Sequence, residues 1–390
     1  MNSTIFYYIA NIRIPTEKAH GHQIMKMCEV LSEAGVELQL IVPDKMNVQL
    51  GNVSPFSYYK TKENFVFKKL SFFDPVFLLK FKGNIYIRVQ LLLFNIRLFF
   101  YLLLNRIDKD TVLYTRDEYL LPILQLFSRK VVWESHALPS KLKYYIKVFK
   151  KCHRIVVLTQ EIKNNLINLG LDPKKIMVSP DAVDLEIFDI DMDKKTARHR
   201  LSLPQDKIIL GYTGSLLTKG LDKGVNDVLE SLSYLPDNIL FVAVGGNIKD
   251  ITLYKKKFLD KGLGDRVLFV EKVSQSELAI YQKAFDILLM PYPNIKHYAY
   301  YMSPLKMFEY MAARRPIITS DLPSIREVLN NKNAFFCLPD TPMDLAAKIK
   351  YVIDNSQLIE NISHRAWQDV KTYTWRKRAE KIVGFIGSMR

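Results

Sequence analysis

Cysteine is scarce in this chain of 390 residues: Cys28, Cys152 and Cys337 lie far apart, with no CxxC pair and no histidine at metal-ligand spacing. That excludes a disulfide framework and a structural zinc as the basis of the fold, and it suits a reducing compartment. The opening MNSTIFYYIANIR lacks the charged start, apolar run and small-residue cleavage site of a secretory leader. No window is read as the roughly 18 apolar residues of a membrane span, so the expectation is a cytoplasmic protein, soluble or peripheral at the inner face of the plasma membrane. No short repeat and no low-complexity tract is present, which removes solenoids and linkers. Nor is there a Ser/His/Asp set, an HExxH, a P-loop or a nucleotidyl motif, so hydrolase and kinase chemistry has no residues to name.

Acidic residues are also short: 40 Asp and Glu against 56 Lys and Arg leave a formal charge of +16, which calls for an acidic partner. Nucleic acid would need a basic, aromatic stripe on a known module, and none is found, so no nucleic-acid partner is expected. Anionic lipid headgroups and phosphorylated small molecules remain. Much of the charge falls between Lys60 and Arg106, mixed with Phe, Leu and Ile. Two readings of that stretch stay open, an interfacial membrane-docking surface or a buried helix over 89–104 with Arg97 and Arg106 on its rim.

Nearly half the residues (48%) are apolar, enough for two cores. Strands are predicted at 4–9, 36–42, 111–115, 130–134 and 154–158, with helical patterns between most of them. Gly35 and Gly170 stand where such helices would end. After an acidic, weakly patterned stretch the alternation restarts at 207–213 and continues through 240–244, 267–270, 287–290, 316–319 and 334–337. This order predicts an α/β protein of two Rossmann-like βα domains, 1–190 and 191–372, with a linker near 182–205 and a last helix, 373–390, packing back on the first domain. Parallel sheets bind ligands beyond the carboxyl ends of their strands, so a central cleft between the domains is the expected site.

The segment from Asp286 to Thr319 reads strand, turn, aromatic loop, helix (SPLKMFEYMAA), strand. Ser303 is expected to cap this helix and Pro304 to fill its first turn. Free amides at 303–306, Leu305 among them, with Lys306 beside them, would accept a diphosphate. Leu305, Phe308, Met311 and Ala312 make the predicted buried stripe, with Lys306 and Glu309 on a neighbouring face. Glu309 could accept two hydrogen bonds from vicinal ribose hydroxyls, or could simply pair with Lys306 at i,i+3.

The run YYMSPLKMFEYMAARRPIITSDLPSIREVL resembles glycosyltransferase family 4, the retaining enzymes of GT-B fold, and the resemblance extends over almost the whole chain. It implies an E-x7-E motif whose second Glu, here Glu309, binds the nucleotide ribose while the intervening amides hold the diphosphate. Tyr301 occupies the place of the first Glu, which in the family touches the donor sugar. In GYTGSLLTKGLDKGV, Lys223 matches the lysine that offsets the diphosphate charge; Ser215 stands where the family has Arg, and Lys219 is the candidate replacement. His136, in VVWESHALPS, matches a histidine that touches the donor sugar. The loop RIPTEKAHGHQIMKMCEVL resembles the family's first glycine-rich loop, reduced to Gly21 between His20 and His22, and Arg116 and Asp117 are candidates to face the acceptor.

The resemblance implies transfer, with retention and without a metal or cofactor, from a UDP- or GDP-sugar to a glycan or lipid-linked acceptor, in cell-envelope polysaccharide assembly. A sugar-nucleotide epimerase or hydrolase of the same fold, and a non-catalytic sugar-nucleotide or nucleic-acid binder, are the alternatives.

Overall fold

The computed structural model describes residues 5–45, 53–71, 84–139, 142–218 and 220–388. The chain forms two compact units, Met1–Ser179 with Trp375–Arg390, and Pro180–Thr374.

The first unit is built on seven parallel strands: β1 (Ile5–Ile9), β2 (Glu37–Pro43), β3 (Val66–Leu70), β4 (Val112–Thr115), β5 (Val131–Ser135), β6 (Arg154–Val157) and β7 (Ile176–Val178). Their order in the sheet is β3-β2-β1-β4-β5-β6-β7. The central strands read as mostly apolar or aromatic runs because helices cover both faces; every residue of β4 and of β5 is buried, Glu134 and Ser135 included.

The second unit repeats the arrangement with β8 (Ile208–Thr213), a short antiparallel hairpin of β9 (Leu217–Thr218) and β10 (Leu221–Asp222), then β11 (Ile239–Gly246), β12 (Val267–Glu271), β13 (Ile287–Met290), β14 (Ile317–Ser320) and β15 (Phe335–Cys337). Its main sheet runs β12-β11-β8-β13-β14-β15. Both sheets therefore reverse direction beside their first strand, between β1 and β4 and between β8 and β13, and such a switch point opens a crevice at the carboxyl ends.

The predicted strands recur within a residue or two. Not foreseen were β3, whose Lys68 and Lys69 make an edge strand look like a basic arm, the three-residue β7, and the β9–β10 hairpin. Three expectations need correction. The stretch 182–205 is not a free linker: it carries the helices Leu185–Phe188 and Lys194–Arg200, and Phe188 and Ala197 lie in the core of the second unit. Arg198 anchors it, buried to 2% exposure and bonded to Asp286 and to the Ala284 carbonyl. The first unit accordingly ends at Ser179 and not at 190, and Val183 donates to the Tyr373 carbonyl within the second unit.

The third correction concerns length and apolarity. The helix Asn84–Leu104 has 21 residues, and its window Ile87–Leu104, with mean hydropathy 1.7, is long and apolar enough to cross a membrane. Arg88 and Arg97 hide that window from a reading that counts unbroken apolar runs. One face of the helix buries Gln90, Phe94, Leu98 and Leu102 in the first unit, and Gln90 donates to Asn11. The opposite face leaves Leu92, Ile96, Phe100 and Leu103 exposed. The helix is thus a core helix on one side and an uncovered apolar surface on the other.

Candidate functional site

At the switch point of the second unit, β8 ends in Thr213-Gly214-Ser215 and β13 in Met290-Pro291-Tyr292. Between them the hairpin delivers Lys223, whose Nζ donates to Ser215 Oγ at 2.9 Å. The next residue must be glycine: Gly224 has φ +94°, and a Cβ there would stand 1.7 Å from the Pro291 carbonyl oxygen. Asp222 accepts from the Gly224 amide at 2.7 Å and from the Tyr254 hydroxyl, which locks the turn that positions Lys223. Burial lowers the Lys223 ammonium from 10.5 to about 8.

Against this turn lies the helix Leu305–Ala312. Ser303 does not cap it. Pro304 is the N-cap residue, and the Ser303 hydroxyl instead accepts from the Asp181 amide at 2.8 Å. The helix starts one turn-residue later than expected because the preceding His297–Tyr301 segment is a π-helical turn that ends in extended backbone at Met302 and Pro304. Leu305 and Lys306 therefore supply the first amides, ahead of the Met307 amide that bonds Pro304. The buried side also differs: Leu305 is half-buried, whereas Lys306 is buried to 8% exposure. The helix packs against the Ser356–Val370 and Leu185–Phe188 helices, and Lys306 lies among its buried residues Met307, Phe308, Tyr310 and Met311.

Among the described residues Lys306 Nζ has no hydrogen-bond partner; it sits 3.5 Å from the centroid of the Tyr212 ring and 5.5 Å from that of Tyr292. Desolvation, with Lys223 adding repulsion, pushes its ammonium well below the usual range. Glu309 forms no ion pair with Lys306. It accepts from Gln282 Nε2 at 3.3 Å, and burial raises its carboxyl to about 7. Two cations and one carboxylate, all desolvated, thus converge at the end of β8 without neutralising one another, an arrangement suited to an anion bearing hydroxyl groups.

The first unit holds a second cluster, at the ends of β1, β4 and β5. His136 Nε2 lies 2.7 Å from Glu134 Oε1. Glu134, 2% exposed, also accepts from Arg378 at 2.8 Å and from the Tyr114 hydroxyl at 2.5 Å. Burial alone would raise its carboxyl; Arg378, with His136 and Arg116, outweighs that and holds it well below the carboxylate range. Burial and the Arg116 guanidinium depress the His136 imidazole to about 4, and the same two causes bring His20 to about 4. Arg116 also donates to Gln23, while Asp117 accepts from the Asn11 amide at 2.7 Å.

Residues 193–369 match the family model described as glycosyl transferases group 1. Over this stretch the chain is similar to that family. The chain is 25% identical over 252 residues to a D-inositol 3-phosphate glycosyltransferase of Kineococcus radiotolerans, covering 60% of this chain and 57% of that protein. It is 24% identical over 238 residues to an N,N'-diacetylbacillosaminyl-diphospho-undecaprenol alpha-1,3-N-acetylgalactosaminyltransferase of Campylobacter jejuni, covering 58% of this chain and 57% of that one. The matches span little more than half the length of these curated relatives. Among solved structures, HepE of Anabaena in complex with UDP and glucose superposes with a TM-score of 0.75 at 13% identity, over 99% of this chain and 100% of that one. A glycosyltransferase of Rickettsia africae gives 0.76 at 15% identity, over 100% and 99%. The fold is GT-B, with two parallel-sheet Rossmann-like units.

Within the matched region the structure brings Lys223, Ser215, Lys306 and Glu309 together and leaves Tyr301 aside. The Tyr301 ring neighbours Lys296 and Tyr300, and among the described residues it forms no hydrogen bond or ring contact with Lys306 or Glu309. Lys219 lies outside the described residues. Gly21 belongs to the helix Ala19–Glu33, where a Cβ would stand 2.2 Å from the Tyr59 hydroxyl; that hydroxyl accepts from the Thr16 amide and donates to its carbonyl. Gly21 therefore permits close packing that pins the 11–18 loop. Sequence reasoning missed Asp222, Tyr212, Gln282, Glu134 and Arg378, of which only Glu134, two residues before His136 on a strand, gave a usable signal: a carboxylate inside an otherwise apolar run.

Proposed function

We propose that the chain is a retaining glycosyltransferase that moves a sugar from a UDP- or GDP-sugar to a glycan or lipid-linked acceptor in cell-envelope polysaccharide assembly. The observation that carries this reading is the pair of desolvated lysines, Lys223 and Lys306, beside Glu309 at the end of β8. A nucleoside diphosphate satisfies all three: its phosphates meet the two ammonium groups and the Leu305 and Lys306 amides, and its ribose hydroxyls donate to Glu309. As the sugar departs, negative charge grows on the diphosphate, and cations already stripped of water stabilise that charge more than the ground state. The departing diphosphate takes the proton of the acceptor hydroxyl on the same face of the sugar, so no protein nucleophile is required. The names of the undecaprenol-linked relative and of the UDP-bound HepE support donor and acceptor of these classes. Thermal-shift screening of UDP-, GDP- and ADP-sugars, followed by transfer to candidate acceptors with the product anomer read by NMR, tests the reading. Turnover of the donor with no acceptor requirement would favour an epimerase or hydrolase instead.

We also propose that the exposed apolar face of the Asn84–Leu104 helix, flanked by Arg88 and Arg97, rests on an anionic membrane surface. Lys80 and Lys82, which the sequence adds to this patch, lie outside the described residues.

A further inference from the structure

We propose that Arg378, carried back into the first unit by the C-terminal helix Trp375–Gly387, is a positioning residue for sugar transfer: it holds Glu134 ionised and thereby fixes the His136 ring in the tautomer whose Nδ1 accepts a hydrogen bond. The inference rests on the glycosyltransferase reading above and adds a residue that no motif marks, some 240 positions away in sequence from the histidine it serves.

The geometry leaves little freedom. Arg378 is 4% exposed and Glu134 2%, and they meet at 2.8 Å, so each is the buried countercharge of the other. Glu134 Oε1 faces both Arg378 and His136 Nε2, while Oε2 takes the Tyr114 hydroxyl. An ionised carboxylate has only lone pairs to offer, so the imidazole nitrogen 2.7 Å away must carry the hydrogen. A neutral ring with its hydrogen on Nε2 has its lone pair on Nδ1. The side chain keeps 22% of its surface exposed, at the end of β5 where the sheet opens to ligands, so a substrate hydroxyl can donate to that lone pair. Arg378 is itself held in place, donating to the Ser179 carbonyl at 3.3 Å and lying 3.2 Å from Met27 Sδ.

The charges around the histidine agree with this assignment. Burial, Arg116 and Arg378 all oppose a second proton on the ring, and only Glu134 favours one. Around Glu134 the groups are Arg378, His136 and Arg116, with the Tyr114 hydroxyl bonded to it and Tyr8 and Cys28 buried nearby. Without Arg378 the carboxylate would lose its countercharge, and the Glu134–His136 pair would take up a proton at higher pH. An imidazolium has two donors and no acceptor, so the hydrogen bond to the substrate hydroxyl would be lost.

The test uses the full chain labelled with 15N-histidine, the His136 resonances being assigned from a His136→Asn variant. The expected wild-type spectrum is a neutral ring with hydrogen on Nε2 across pH 5 to 8. In Arg378→Gln the pair should titrate at least about one unit higher. Below that raised titration point, where the wild-type ring is still neutral, that variant's kcat should fall about tenfold, the worth of one hydrogen bond, with the KM for the nucleotide sugar within about twofold. Arg378→Lys should keep the wild-type titration and most of kcat. Hydrogen on Nδ1 in the wild type, or an unchanged titration in a folded Arg378→Gln chain, would overturn the proposal. The wild-type spectrum decides even where the Gln variant does not fold. A wild-type chain that turns over no nucleotide sugar would sink the functional reading, while the titrations would still report whether Arg378 sets the state of His136.

Discussion

Lys306 Nζ stands 3.5 Å from the centroid of the Tyr212 ring and has no hydrogen-bond acceptor among the described residues. The ring face offers a charged ammonium partial compensation at best, so folding buries this lysine at a cost. A residue kept in that state is explained by what it meets when a ligand arrives. Lys306→Met should leave the thermal transition unchanged or raise it, and should weaken UDP binding by at least about tenfold, a loss of about 1.4 kcal/mol. The two readouts are calorimetric titration and differential scanning. The unfolded lysine keeps its proton up to about 10.5 whereas the buried one releases it earlier, so the wild type gains stability as pH rises toward that value. The Met variant should lack that part of the slope. An unchanged UDP affinity in Lys306→Met would remove the residue from the diphosphate site.

Nucleotide binding should itself depend on pH, with opposite signs on the two flanks. Lys223, lowered to about 8 in the free protein, must be protonated to meet a diphosphate, so affinity should fall as pH rises above about 8. Glu309, raised to about 7, must be ionised to accept from the ribose, so affinity should also fall as pH drops below about 7. The expected profile of association constant against pH is a narrow bell. Glu309→Gln should flatten its acid limb and Lys223→Met its alkaline limb. A flat profile for the wild type between pH 6 and 9 would contradict both roles.

Gly224→Ala tests the turn behind Lys223. The φ of +94° is unfavourable for alanine, and the added Cβ would stand 1.7 Å from the Pro291 carbonyl oxygen, an atom that cannot swing aside. The backbone must shift, so a destabilisation of about 2–4 kcal/mol is expected from strain and overpacking together. Lys223 moves with it, and UDP affinity should drop as well. Denaturant titration and UDP calorimetry on the same preparation check both effects; a variant of wild-type stability would mean the turn is less constrained than its geometry states.

How much of this could be read beforehand differs between fold and site. The central strands announced themselves because burial on both faces demands unbroken apolar runs, as in IILGYT and ILLM. The edge strand VFKKL did not, since an edge carries lysines to discourage pairing. At the site, Lys223 and Glu309 were marked by the family resemblance, whereas the burial of Lys306 was not: it depends on Tyr212 and Tyr292, two strand-end aromatics from separate βα units. Ser303 was misread because its neighbour Asp181, more than a hundred residues earlier, competes for the hydroxyl that a local rule gives to the helix. Arg378 is the clearest case of the same kind. The return of the last helix to the first unit was expected, but which of its side chains meets Glu134 is set by packing that no local pattern encodes.

The exposed face of the Asn84–Leu104 helix yields a prediction for membranes. Leu92, Ile96, Phe100 and Leu103 recur at helical spacing on the side away from the buried Phe94 and Leu98, which is the arrangement of an interfacial helix and not of a solvated one. A spanning orientation would tear Phe94, Leu98 and Leu102 from the core and break the Gln90–Asn11 hydrogen bond, so the helix should lie along the surface. Binding to vesicles of phosphatidylglycerol with phosphatidylcholine should exceed binding to phosphatidylcholine alone and should weaken with added salt. Arg88→Glu changes the charge near the lipid by two units, which corresponds to about 2 kcal/mol, or roughly thirtyfold in partitioning. Phe100→Ser with Leu103→Ser should weaken binding to both kinds of vesicle, since that loss is hydrophobic and carries no charge. Equal binding of all three proteins to anionic vesicles, measured by co-sedimentation, would leave the apolar face without a membrane role.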